Sequence, residues 1–311
     1  MGTWSGFKRA CTDTRYFLGT LSRILTAVNR RYHAKFVDHE GMDVMAADWD
    51  NLLILDGCRA DLFEERSWLV GDYEERISQA SQSKEFLEHN FAGRTLHDTV
   101  YISANPYAAR LPEDTFHAFV DLFRTGWDSD LQTVTPETVA AATRSIHEEY
   151  PNKRIVAHFM QPHYPFIGEL GRDIDRSSIG GKLTEEGTAN RIWAQLMYGD
   201  NELDEPLVWR AYAENLDLVL ETVEDLLEEI DGCSVITADH GNMIGDRGYP
   251  IPVPGFGHPP EYYVDPLVRV PWLTVPGERR RIESAPPDRS ARGGTENTDV
   301  ADRLRSLGYV E

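Results

Sequence analysis

Asn51-Leu-Leu-Ile-Leu-Asp56-Gly57 sets four consecutive aliphatic side chains between an asparagine and an acid-glycine pair. An unbroken apolar run of strand length belongs to a strand covered on both faces, as in a parallel sheet, because a strand with one wet face would alternate. The same pattern returns twice. Arg154-Ile-Val-Ala-His-Phe-Met160 leads into Gln161-Pro162-His163, and Ser234-Val-Ile-Thr-Ala238 leads into Asp239-His240-Gly241. Residues 99–103 and 268–275 are two further strand-length runs.

Helix-length patterns separate these runs. Thr135-Pro136-Glu137 supplies an N-cap, a first-turn proline and a first-turn acid for a helix ending before Pro151. Residues 206–230 place Leu216, Leu220, Val223, Leu226 and Leu227 on one face, with Gly232 just beyond. A terminal helix is expected over 298–307, closed by Gly308, and the Pro-, Gly- and Arg-rich stretch 277–294 reads as a surface excursion. Strands alternating with helices predict an α/β fold: a mostly parallel central sheet flanked by helices on both faces. No internal repeat is present.

The 311 residues suffice for one large domain with a small appendage. The appendage is assigned to residues 1–45, an amphipathic helical extension in which Phe7, Phe17, Leu18, Leu21, Ile24, Leu25 and Val28 recur at helical spacing among basic residues. Docking on the body of the protein is the favoured reading of this segment, and a position on a membrane surface the alternative. Net charge is −21, with five lysines against 26 arginines. Such an acidic excess argues against nucleic acid and polyanionic membrane partners, and with arginine favoured over lysine it points to a salt-rich, halophilic cytosol. Cys11, Cys58 and Cys233 are too few and too scattered for a disulfide framework, so a reducing compartment is expected. With no apolar run of membrane-spanning length and no signal-peptide pattern, the expectation is a cytoplasmic chain, at most peripheral to a membrane, of undetermined oligomeric state.

Ligands of open α/β sheets sit outside the carboxyl ends of the strands, so the three polar strand exits converge on one crevice. Asp56, His163 and the Asp239-His240 pair at those exits form a candidate site for a divalent metal ion; carboxylates and imidazoles without thiolates suit Zn or Mn, and a hard ion such as Ca if the imidazoles are not direct ligands. His258 lies in the loop Gly255-Phe-Gly-His-Pro-Pro260.

In their order, Asn51–Asp61, His158-Phe-Met-Gln-Pro-His-Tyr-Pro165 and Thr237-Ala-Asp-His-Gly-Asn-Met-Ile-Gly-Asp246 resemble the motifs of sulfatase-like enzymes of the alkaline phosphatase superfamily. Arg303–Tyr309 is similar to the tail of many such chains, and the resemblance spans about residues 51–309. It implies a sulfatase-like catalytic domain over residues 46–311, with Asp56, Asp239 and His240 as metal ligands. It further implies that His163 contacts the ester oxyanion and that His258 faces the metal or the oxyanion, the two histidines stabilising the oxyanion or protonating the leaving group, while His158, at a strand position, is read as a packing residue.

The resemblance also requires a nucleophile between the first acid and the histidine segment. The Cys/Ser-x-Pro-x-Arg motif of true sulfatases does not occur, and Cys58 reads as a packing residue. Ser83, in Ala80-Ser-Gln-Ser-Lys-Glu85 at the start of a helix, is the choice, with Ser81 as substitute and a plain helix cap as the competing reading. Lys84 either binds the anionic ester or is solvated. Asp56 is followed by Gly57 rather than a second acid, and Asp200 and Asp204 lack a matching histidine, so one ion is expected rather than two.

The implied function is metal-dependent hydrolysis or transfer of phosphate or sulfate esters through a covalent serine intermediate, on a small-molecule or glycan anionic substrate. The alternatives are a phosphoalcohol transferase to a glycan or lipid head group, and a catalytically silent anion- or glycan-binding member.

Overall fold

A computed structural model describes residues 14–178, 188–198 and 203–288. Its first half contains helix α1 (Thr14–Phe36), strand β1 (Asn51–Leu55), helix α2 (Ala60–Arg66), strand β2 (Asp72–Ile77), helix α3 (Ser83–Phe91) and strands β3 (Leu96–Ser103) and β4 (Phe116–Asp121). Helix α4 (Pro136–Glu149) and strand β5 (Arg154–Phe159) follow, then helices α5 (Glu169–Ser178), α6 (Thr188–Tyr198) and α7 (Glu205–Glu229). Strands β6 (Ser234–Thr237), β7 (Met243–Arg247), β8 (Pro254–Gly257) and β9 (Arg269–Val275) complete the described chain.

Seven strands form one sheet in the order β2-β9-β6-β1-β5-β3-β4, and β7 pairs with β8 in a separate ribbon. The run β6-β1-β5-β3-β4 is parallel, and β9 is antiparallel to both its neighbours. The fold is therefore α/β with a mostly parallel central sheet. All five residues of β1 are buried, as its aliphatic run demands. Its side chains divide with period two. Leu53 and Leu55 join the core beneath α4 and α7, while Leu52 and Ile54 join the opposite core, built with Phe86, Leu87 and Phe91 of α3. Helices thus cover both faces, and His158 falls in phase with Val156 on the α3 side.

The long helices begin as their sequences dictate. Thr135 accepts a bond from Thr138 N at the start of α4, and Asp204 accepts one from Leu207 N at 2.8 Å at the start of α7. Asp204 is therefore a helix cap, and Asp200 lies outside the described residues. Helix α1 extends to Phe36, past the stretch read from its apolar spacing, and docks on the body through side-chain bonds. Ser22 donates to Pro254 O, Asn29 to Ile251 O and Arg30 to Pro260 O.

Edge strands β2 and β4 and the ribbon β7-β8 were not read from the sequence. β2 is Asp-Tyr-Glu-Glu-Arg-Ile, mostly exposed and charged, a composition that protects an open sheet edge and hides the strand. Residues 277–288 run without regular structure, pinned by Glu283 N to Asn152 O and by Lys153 Nζ to Glu283 O. The expected helix at 298–307 and the tail motif lie outside the described residues. Among the described residues, no helix is long and apolar enough to cross a membrane.

Candidate metal centre and nucleophile

The carboxyl ends of the adjacent strands β6, β1, β5 and β3 carry the site. Asp56 follows β1, with Ile54 in register with His158 of β5 and Thr237 of β6. Gly57 turns the chain with φ +66°, in the left-handed region that glycine adopts without a steric penalty. A Cβ there would stand 3.4 Å from His163 Cδ2 and 3.6 Å from His240 Cε1, ordinary van der Waals contact, so the backbone angle rather than space calls for glycine.

Asp239 is held on one oxygen. Its Oδ1 accepts from Gly57 N and His240 N, both at 2.9 Å, and Ser78 Oγ donates to its carbonyl. Its Oδ2 has no hydrogen-bond partner among the described residues, and neither do Asp56 Oδ1 and His158 Nε2, although all three residues are fully buried. These atoms face one another. His158 Nε2 lies 3.6 Å from Asp56 Oδ2 and 3.7 Å from Asp239 Oδ2. His240 Nε2 lies 3.7 Å from Asp56 Oδ1 and 3.5 Å from Asp239 Oδ2. Buried polar groups are left without partners at a cost of about 1–3 kcal/mol each, more when charged, so this convergence is costly unless a cation completes it.

Ligand atoms of Asp56, His158 and Asp239 fall within 4.8 Å of one another. His158, read from the sequence as a packing residue, therefore belongs to the donor set. Its Nδ1 shares a 2.8 Å hydrogen bond with the Tyr101 hydroxyl, which orients the ring and leaves Nε2 aimed at the carboxylates. His240 is oriented the same way, its Nδ1 bonding Gly241 O at 2.7 Å. Burial alone would raise the Asp56 carboxyl, but the His163, His158 and His240 rings hold it well below the usual carboxylate range. Two oxygens and two imidazole nitrogens fit a divalent ion of the zinc or manganese kind.

Asn105, just past β3, donates from Nδ2 to Asp56 Oδ2 at 2.6 Å. Sequence reading missed it, although β3 is a fourth strand exit at the same edge.

Ser83 and Ser81 separate cleanly. Ser83 is the first residue of α3, whose N-cap is Gln82, so Ser83 is not the helix cap. Its Oγ lies 3.3 Å from both Asp56 Oδ2 and His240 Nε2, beside the donor cluster and at a helix N-terminus with free N–H groups. Ser81 Oγ instead lies 3.0 Å from both Glu85 Oε2 and Pro259 O, which share its one proton, and accepts from Tyr262 N at 3.2 Å. Ser81 is a structural fastener. Glu85 uses its other oxygen to accept from Glu261 N at 2.6 Å, tying α3 to the loop that follows His258. Lys84 points away, exposed, with Nζ 3.7 Å from Glu88.

His163 and His258 meet Nε2 to Nε2 at 2.8 Å, and the His258 ring stacks on His240 with centroids 4.6 Å apart. His163 Nδ1 bonds Tyr164 O at 2.6 Å, so in its neutral form Nε2 accepts the proton shared with His258. Burial, with His240 and His163 beside it, pushes His258 well below an ordinary imidazole. The His163 segment is clamped from α7. Asn215 Nδ2 donates to the carbonyls of Pro162, His163 and Pro165, and its Oδ1 accepts from Ile167 N. Cys58 is fully buried in the core.

No protein-family model matches the chain, and no curated protein matches it by sequence. Similar solved structures include the integral membrane protein lipooligosaccharide phosphoethanolamine transferase A (EptA) from Neisseria meningitidis, at 9% identity and TM-score 0.45, over 72% of this chain and 46% of that one. The C-terminal periplasmic domain of EcEptC from Escherichia coli, in complex with Zn, is similar at 11% identity and TM-score 0.43, over 77% and 76% of the two chains. A protein in the alkaline phosphatase superfamily from Vibrio parahaemolyticus is similar at 9% identity and TM-score 0.40, over 81% and 68%. The chain thus spans less than half the length of the full transferase.

Proposed function

We propose that this chain is a sulfatase-like enzyme of the alkaline phosphatase superfamily that hydrolyses or transfers a phosphate or sulfate ester through a covalent intermediate on Ser83. Asp56, Asp239, His158 and His240 would hold one divalent ion. The observation that carries this reading is the placement of the Ser83 hydroxyl, 3.3 Å from Asp56 Oδ2 and His240 Nε2, against three buried donor atoms that have no partner among the described residues.

Each residue has a defined task. Ser83, its hydroxyl proton released to solvent as the alkoxide forms, attacks phosphorus or sulfur through Oγ in line with the ester oxygen; the Oγ bond forms as the bond to the leaving oxygen breaks. The N-terminus of α3 presents N–H groups to the equatorial oxygens of the transferred group. His163 and His258, which share one proton, supply it to the departing alkoxide and then accept one from the water or alcohol that discharges the serine ester. Asn105 and the backbone bonds to Asp239 Oδ1 fix the carboxylates so that their remaining oxygens face inward. When bound, the ion would favour the serine alkoxide and neutralise charge on the transferred group.

The test is trapping. Acid-quenched protein, incubated with divalent ion and an aryl phosphate or aryl sulfate, is digested and mapped by mass spectrometry. A phosphoryl or sulfuryl adduct on the peptide containing Ser83 is expected. An adduct elsewhere, or ester turnover with none, overturns the nucleophile, and a protein that binds the esters without turning them over would be an anion-binding member. Addition of an alcohol acceptor separates transfer from hydrolysis by diverting product from water.

A further inference from the structure

Among the described residues, helix α1 is anchored to residues 249–262 and, near its start, stacks Tyr16 on Tyr198 of α6 with centroids 5.1 Å apart. Ser22, Asn29, Arg30 and His33 bind backbone carbonyls of residues 249–260, and Asn29 Nδ2 also donates to the Tyr262 hydroxyl. Another face is exposed to solvent. Phe17, Leu18, Leu21, Ile24 and Val28 are 40–56% exposed and recur every three or four residues, which makes them one continuous apolar stripe. The stripe ends in an aromatic group: Phe36 is 65% and Tyr249 59% exposed, with Tyr32 between them at 5.5 and 6.1 Å. In a chain of net charge −21, α1 carries four arginines, one lysine and no acid. Arg23, Arg31 and Lys35 are exposed.

The geometry points to α1 as a docking surface for an anionic lipid bilayer, lying in the interfacial plane with its apolar stripe among the acyl chains and its basic side chains on the headgroups. Charge decides between a bilayer and a second copy of this chain. In a two-fold pair that buries the stripe, a second copy would set an identical basic helix face to face with this one, like charge against like, whereas anionic headgroups complement the helix. The acidic remainder does not forbid docking, because its field is screened within about 10 Å of the surface at ordinary salt. Exposed rings at one end of the stripe suit the headgroup layer, where aromatic residues settle.

The test uses the full chain and co-sedimentation with vesicles of pure phosphatidylcholine or of phosphatidylcholine mixed with phosphatidylglycerol. Binding to the mixed vesicles, falling with added salt, is expected. Leu21→Asp/Ile24→Asp and Arg31→Glu/Lys35→Glu should each weaken it at least about tenfold, each basic residue near the surface contributing roughly fivefold. Both pairs are exposed, so unchanged melting temperatures and unchanged turnover of soluble aryl esters would show that fold and catalytic site are intact. Equal sedimentation with both vesicle types, none with either, or binding indifferent to the two variants overturns the inference. So does a wild-type dimer that Leu21→Asp/Ile24→Asp dissociates without any lipid binding.

Discussion

Replacing Ser83 and Ser81 separately should give opposite phenotypes, and the structure sets the size of each. Among the described residues, Ser83 Oγ makes two long contacts, 3.3 Å to Asp56 Oδ2 and 3.3 Å to His240 Nε2. Ser83→Ala should therefore cost under about 1 kcal/mol of stability, or roughly 2 °C in Tm for a chain of this size. Turnover should fall by on the order of 10⁴ or more, as for loss of a nucleophile that acts as a unit with its neighbours. Ser81 Oγ joins Glu85, Pro259 and Tyr262 N at 3.0–3.2 Å. Ser81→Ala leaves the buried Tyr262 N–H without that acceptor, while Glu85 Oε2 keeps its bond from Ser81 N, at about 1–3 kcal/mol, or roughly 2 °C or more. Turnover at a temperature where the variant stays folded should remain within about tenfold of wild type, the loss expected from a slightly displaced His258 loop. Melting curves and initial rates on aryl phosphates and sulfates, read together, decide the matter. A Ser83→Ala protein that keeps a tenth or more of wild-type turnover would refute the reasoning, as would a Ser81→Ala protein that is stable and inactive.

Three further outcomes follow from named contacts. Asn215→Ala removes four bonds to the segment carrying His163, so kcat should fall about 100-fold and Tm should drop, while metal content stays unchanged. Tyr101→Phe removes the partner of His158 Nδ1; metal affinity should weaken about 10–100-fold, measured by competition with a chelating dye, and undiminished affinity would exclude His158 as an oriented ligand. His33 and His39 are both held below the ordinary histidine value, chiefly by burial. The unfolded chain then binds more protons below its own value near 6.5, so stability is fully present above that pH and declines as pH falls beneath it. A His33→Gln variant should show a shallower acid loss in Tm between pH 7 and 5, and an unchanged slope would dismiss the His33 contribution.

The parts of this architecture that could be read beforehand are those that bury without compromise. β1 holds an unbroken apolar run and β5 and β6 are apolar at their centres because helices cover both faces, and their exits point to Asp56, the His163 segment and the Asp239-His240 pair. β2 could not be read, since an edge strand of Asp, Glu and Arg has the composition of a loop. His158 was masked by its position inside a strand, where a histidine commonly packs; the informative detail is its phase, shared with Val156 on the face covered by α3. Asn105 could have been found by extending to β3 the rule applied to the other exits. Asn215 carried one local hint, a polar residue inside the apolar stripe of α7 between Tyr212 and Leu216. The choice between Ser83 and Ser81 lay beyond sequence, because it turns on Glu85 reaching back to Ser81 and across to Glu261.

Metal stoichiometry bears most directly on the central claim. Elemental analysis of purified protein dialysed against zinc or manganese should find one tightly held ion per chain, and that ion should be lost on replacing Asp239 by Asn or His158 by Ala, with the melting temperature no longer responding to added metal. Full occupancy in both variants, or no bound ion in the wild type at any concentration that leaves it folded, would contradict the account.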